Sequence, residues 1–114
     1  MKNDKEFLYV GHYIDVDGNY ILKIGTTKNL ENRRLQHNRN YRNATYCRMM
    51  RDTEFEYDWY IPLSKYNTLR FEDRTRQAWQ DLDIGMFIAN DRFCCYEKPS
   101  EIEITIRKTY KIAL

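Results

Sequence analysis

Arg33 and His37 stand four residues apart in the stretch 20–37, Tyr-Ile-Leu-Lys-Ile-Gly-Thr-Thr-Lys-Asn-Leu-Glu-Asn-Arg-Arg-Leu-Gln-His. On a helix that spacing puts both on one face. An arginine and a histidine held near a helix start, beside a strand end, make an anion site. The guanidinium forks phosphate oxygens and the helix-start amides add donors. Positive charge continues downstream. Residues 28–51 hold Lys28, Arg33, Arg34, Arg39, Arg42, Arg48 and Arg51 against Glu31 alone, with Asn32, Asn38, Asn40, Tyr41, Asn43 and Tyr46 interleaved. Basic, amide and aromatic side chains in one run suit phosphate contacts with base stacking. The plain alternative is a solvated charged face. Arginine outnumbers lysine six to one here, which favours phosphate. The expected partner is therefore nucleic acid, with Lys28, Arg34, Arg39, Arg42 and Arg48 as contacts.

The elements that must hold these residues can be read in chain order. Residues 6–14 read as a strand whose Phe7, Tyr9, Gly11 and Tyr13 share one face. Asp17-Gly18-Asn19 signals a hairpin. A three-residue loop sets Tyr13 opposite Lys23, and a two-residue turn sets His12 there instead. Residues 20–24 are apolar and β-branched enough for a strand, which Gly25 and two threonines break. Asn29 offers an N-cap for a helix over 29–38. Residues 38–52 read as an arginine-rich loop. Over 53–61 the sequence alternates, with Phe55, Tyr57, Trp59 and Ile61 inward, and Pro62 ends the strand. A helix over 68–82, capped by Asn67, carries a stripe of Phe71, Thr75, Ala78 and Leu82. Glu72 lies at the margin of that stripe, where it either lines a pocket or pairs with Arg76 on the surface.

Gly85 closes the helical region, and 90–96 reads as a short extended segment. Ser100-Glu101-Ile102-Glu103 forms a capping box after Pro99, so a C-terminal helix is preferred to a strand with Ile102, Ile104 and Ile106 inward. Phe7, Ile24, Leu30, Trp59, Phe71, Ala78 and Leu82 are the expected core.

Composition narrows the class. One hundred and fourteen residues suit one domain over 1–114 with one core. An aromatic share of 15%, including ten tyrosines, argues against disorder. No apolar run approaches the roughly 20 residues that span a bilayer, and the charged residues 1–6 do not lead into a signal core. A cytoplasmic protein off the membrane is expected. Cys47, Cys94 and Cys95 do not pair evenly, and adjacent residues of a strand point to opposite faces, so reduced thiols are expected rather than a metal site.

Lys23-Ile24-Gly25, Asn29-Leu30, Arg33 and His37, in that order, resemble the second half of the signature of the GIY-YIG nuclease superfamily. Lysine in place of the Y-I-G tyrosine resembles its virus- and phage-associated branch, and 90–96 resembles the R-E-x-F segment of that branch. Two fits compete for the G-I-Y half: Gly11-His12-Tyr13, preferred for its distance from Lys23, and Phe7-Leu8-Tyr9, which needs a longer hairpin. The resemblance implies an α+β fold, a small three-stranded antiparallel sheet flanked by helices. It also implies an endonuclease using Mg²⁺ or Mn²⁺ on DNA or RNA. Glu72 is then the metal ligand, Arg33 the charge stabiliser, Tyr13 or Tyr9 the group that takes a proton from water, His37 a relay and Lys23 a phosphate ligand. A partner, a homodimer or substrate shape would supply selectivity. A module of the same fold that binds nucleic acid without turnover is the alternative.

Overall fold

The computed structural model describes residues 6–63, 73, 76–77, 79–81, 85–89 and 92–95. Among the described residues five strands make one antiparallel sheet: β1 (Glu6–Ile14), β2 (Tyr20–Thr27), β3 (Glu56–Leu63), β4 (Gly85–Ala89) and β5 (Arg92–Cys95), in the order β3-β1-β2-β5-β4. One helix, α1 (Leu30–Arg42), follows β2. The expectation of an α+β fold on a three-stranded sheet is corrected: the chain is richer in β-structure, because β5 pairs along β2 and β4 pairs along β5. Gly85 does not merely end a helical region. It opens a strand whose residues, Gly-Met-Phe-Ile-Ala, are too few to show a period.

β2 lies in the middle of the sheet, and Ile21 through Gly25 are all buried. Both sheet faces are covered, so β2 does not alternate, and its buried stretch is apolar except for Lys23. One core holds Leu8, Val10, Leu22, Ile24, Trp59, Trp79 and Phe93. Trp79 is on the helical stretch that also includes Asp73, Arg76, Gln77, Gln80 and Asp81. It packs against Phe93 and Phe87 at centroid distances of 5.4 and 6.3 Å. The other core holds Tyr9, Tyr13, Ile21, Tyr41, Met49 and Phe55 beneath α1. Of the expected core, Ile24 and Trp59 are buried, whereas Phe7 and Leu30 are half-buried. Phe71, Ala78, Leu82, Asn67, Thr75 and the residues of the expected C-terminal helix lie outside the described residues.

Two registers differ from expectation. The hairpin pairs Ile14 with Tyr20 and Gly11 with Lys23, so neither Tyr13 nor His12 faces Lys23. The loop is five residues long because Asp15, 3% exposed, organises it. Its carboxylate accepts from the amides of Asp17 and Asn19, and its own amide donates to the Asn19 carbonyl. Gly18 takes the positive φ that this loop requires, 85°. On β3, Trp59 pairs with Val10 and Tyr57 with Gly11, which leaves Asp58 as a bulge. The bulge sends Phe55 and Tyr57 into the core under α1 but Trp59 and Ile61 into the opposite one. The four apolar residues therefore do not share a face. Pro62 lies inside β3 rather than ending it, which an edge strand tolerates.

Candidate active site on the face of the sheet under α1

Tyr9 leaves the middle of β1 and lies over Gly25, its register partner on β2. A Cβ on Gly25 would stand 2.6 Å from the Tyr9 hydroxyl, so only glycine leaves room for this phenol. α1 begins one turn later. Asn29 caps it by accepting from the Asn32 amide at 3.0 Å, and the Thr27 hydroxyl bonds both backbone groups of Asn29. Tyr57 donates to the Leu30 carbonyl at 2.6 Å. Asn38 accepts from the Phe55 amide at 2.7 Å in a buried bond. The helix is thus tied to β2 at its start and to the β3 approach along its length. The helix extends to Arg42, past the expected end at 38, because its second half is packed: His37, Asn38 and Tyr41 are all buried.

These anchors aim His37 at the sheet. Its Nε2 is 2.8 Å from the Tyr9 hydroxyl. The imidazole stacks on Tyr41 at 5.3 Å and 7°, and Phe55 closes a third side at 4.6 Å. Burial pushes the Tyr9 phenol well above the ordinary tyrosine range, and the nearby Arg33 guanidinium pulls it part of the way back. Tyr9 is therefore a neutral phenol at neutral pH, hydrogen-bonded to an imidazole and close to a cation. Burial likewise pushes Tyr57 up to about 12, against Arg33 and Arg34.

Tyr13 occupies a different neighbourhood. Its hydroxyl donates to the Cys47 carbonyl at 2.8 Å and accepts from Arg92 at 3.3 Å. Burial raises it to about 12, with Arg92 opposing. Tyr13 stacks on Tyr41 at 4.6 Å, so Tyr41 is sandwiched between Tyr13 and His37. The phenol that meets His37 and Arg33 is thus that of Phe7-Leu8-Tyr9. Lys23, 7% exposed, sits opposite Gly11 and so shares by register the face of both tyrosines. Sequence reasoning named Tyr41 only as an aromatic of the basic run, Tyr57 only as an inward strand residue and Arg92 only within the segment 90–96, and it put none of the three at this site. Tyr41 is one helical turn beyond His37 and could have been found by that spacing, whereas Tyr57 and Arg92 come from strands far along the chain.

Glu72 lies outside the described residues. Among the described residues no group of three His, Cys, Asp or Glu side chains could hold a metal ion. The side chains gathered at the Tyr9 hydroxyl are cationic or neutral, which does not suit Mg²⁺, an ion that takes carboxylate and water oxygens. The described donors do not fit the ion by themselves. Among the described residues no helix is long and apolar enough to cross a membrane.

The basic run divides. Arg34 is held by Glu31 at 2.9 Å and Glu54 at 3.5 Å, which lowers its use as a phosphate contact. Lys28, Arg39, Arg42 and Arg48 are exposed. Arg42 donates to the Thr53 carbonyl at 2.6 Å, which fixes its guanidinium. No protein-family model, curated protein or solved structure matches this chain.

Proposed function

We propose that this chain binds nucleic acid and hydrolyses phosphodiester bonds in DNA or RNA. The observation that carries the reading is the 2.8 Å Tyr9–His37 bond beside Arg33, framed by Gly25. The ordered likeness of Lys23-Ile24-Gly25, Asn29-Leu30, Arg33 and His37 to GIY-YIG nucleases supports it. Arg33 binds the scissile phosphate and neutralises charge that develops on its oxygens. A phenol with so high a pKa is a poor resting base, so it acts with the imidazole. As the water oxygen bonds to phosphorus, its proton passes to the Tyr9 oxygen and the Tyr9 proton passes to His37 Nε2. The bond from phosphorus to the leaving sugar oxygen breaks, and solvent protonates that oxygen. Glu72 would hold the Mg²⁺ or Mn²⁺ that such a reaction requires, and the ion would supply further charge neutralisation at the phosphate.

A second reading has its own observation. Tyr9 is 0% exposed and His37 4%, which favours a nucleic-acid-binding module without turnover. One experiment separates the two. Purified protein is incubated with single- and double-stranded DNA and RNA, with Mg²⁺ or Mn²⁺, across about pH 5–9, a span that includes the titration of an ordinary imidazole. Cleavage that Tyr9→Phe and Glu72→Ala each abolish, with binding retained, supports the enzyme. Binding without cleavage by the wild-type protein leaves the module.

A further inference from the structure

Five residues beyond His37, α1 ends against a loop outside the Tyr9–His37 site. Arg42, Arg48 and Arg51 line one cavity of about 360 Å³ there. Among the described residues no carboxylate pairs with Arg48 or Arg51. A second cavity, about 620 Å³, shares Val16 and Arg48 with the first and is lined by Asn43, Thr45, Tyr46 and Asp17. Tyr46 is 59% exposed, an unusual position for a large aromatic ring. The loop is nevertheless held firmly. The Met49 amide donates to the Tyr41 carbonyl, Val16 to the Arg48 carbonyl and Met50 to the Ile14 carbonyl, while Arg92 donates to the Tyr46 carbonyl. Cys47 adopts a positive φ of 54° to make the turn.

From this we infer that the two cavities form one nucleotide subsite, with a backbone phosphate among Arg42, Arg48 and Arg51 and an unpaired base on the Tyr46 ring. The inference rests on the nucleic-acid reading above and extends it to strand type. Three guanidinia around one concavity suit a phosphate. An open ring beside it suits a base whose faces are free, which a duplex does not offer. Asn43 and Thr45 can meet a base edge, and Asp17 accepts from an exocyclic amine. Arg42 lies nine residues beyond Arg33 on α1, about 14 Å along the axis. The subsite therefore holds a nucleotide a few positions from the phosphate at Arg33, and a single-stranded flank is preferred.

Fluorescence anisotropy with labelled single-stranded 12-mers of DNA and RNA, and their duplexes, over a range of salt concentrations tests this. Single strands should bind more tightly than duplexes. Arg48→Ala with Arg51→Ala should weaken binding and reduce the salt slope by about 1.4, for two phosphate contacts on a single strand. Tyr46→Ala should weaken binding about tenfold to a hundredfold with the slope unchanged, and Tyr46→Phe should restore it. If the wild type binds but these variants bind equally well, the subsite is overturned while the nucleic-acid reading stands. If a phosphorylated peptide competes and is indifferent to Tyr46→Ala, the anion is not a nucleotide's. If the wild type binds no oligonucleotide, both the subsite and the reading beneath it fail.

Discussion

Gly25→Ala tests the physical basis of the site most directly. The new Cβ would stand 2.6 Å from the Tyr9 hydroxyl oxygen and 2.9 Å from Cζ. Restoring ordinary contact requires the ring to retreat by about 1 Å. Tyr57 packs edge-on against Tyr9 at 5.1 Å and Phe55 at 6.4 Å, so the ring has little room to yield. Overpacking of this kind costs about 1–3 kcal/mol, and losing the His37 bond adds about 1 kcal/mol. We expect Gly25→Ala to lose about 2–4 kcal/mol, read by urea unfolding followed through tryptophan fluorescence. In a Tyr9→Phe background the atom nearest to Cβ and the bond to His37 are already gone. There the same substitution should cost about 1 kcal/mol, leaving a coupling of about 1–3 kcal/mol between the two positions. Effects that add to within about 0.5 kcal/mol, or a Gly25→Ala protein as stable as wild type, would refute the claim that this glycine exists to seat the phenol.

Four further outcomes follow from the geometry. Tyr9, Tyr13 and Tyr57 all have folded pKa values above 10, so the unfolded chain sheds protons first, and stability present below pH 10 should fall as pH rises toward 12. Tyr13→Phe should make that fall shallower by about one proton in unfolding measured at successive pH values, and an unchanged slope would contradict its burial as a neutral phenol. Arg39→Ala with Arg42→Ala should weaken nucleic-acid binding and lower its salt slope by about one to two units, against an unchanged slope if another surface binds. If the chain cleaves, Arg33→Ala should slow turnover about a hundredfold or more, and Glu72→Ala or chelation of divalent ions should reduce it to background in the same gel assay. Trp79→Ala should cost about 3–5 kcal/mol in the unfolding assay, since that ring is fully buried against Phe93 and Phe87.

Local signals in the chain were legible where a single residue type carries the information. Asn29 caps α1, β1 spans 6–14, and Arg33 and His37 lie on one helix at a strand end. The parts that were not legible depend on partners distant in sequence. The hairpin register depends on the Asp15 carboxylate capturing two amides inside the loop, which outweighs the Asp-Gly-Asn turn signal. The choice between Tyr9 and Tyr13 depends on which phenol α1 reaches, and both share a strand face. The bulge at Asp58 leaves the alternation of 55–61 intact in sequence while it reverses the faces in space. β4 and β5 are short, and their place in the sheet comes from pairing, β5 along β2 and β4 along β5.

The bulge also divides the segment 55–61 between the two packed layers. Phe55 and Tyr57 are committed to the layer beneath α1, and Trp59 and Ile61 to the layer beneath Trp79. On the α1 side the strand then presents Tyr60, half exposed, opposite Tyr9. On the other side it presents the exposed Glu56 opposite His12. The two cores are thus staggered along one strand, and His12 clamps the joint through Asp58 at 3.0 Å. Opening of the α1 layer need not expose the Trp79 layer. Amide hydrogens on the two halves of β3 should exchange with solvent as members of separate units, each in step with its own helical cover.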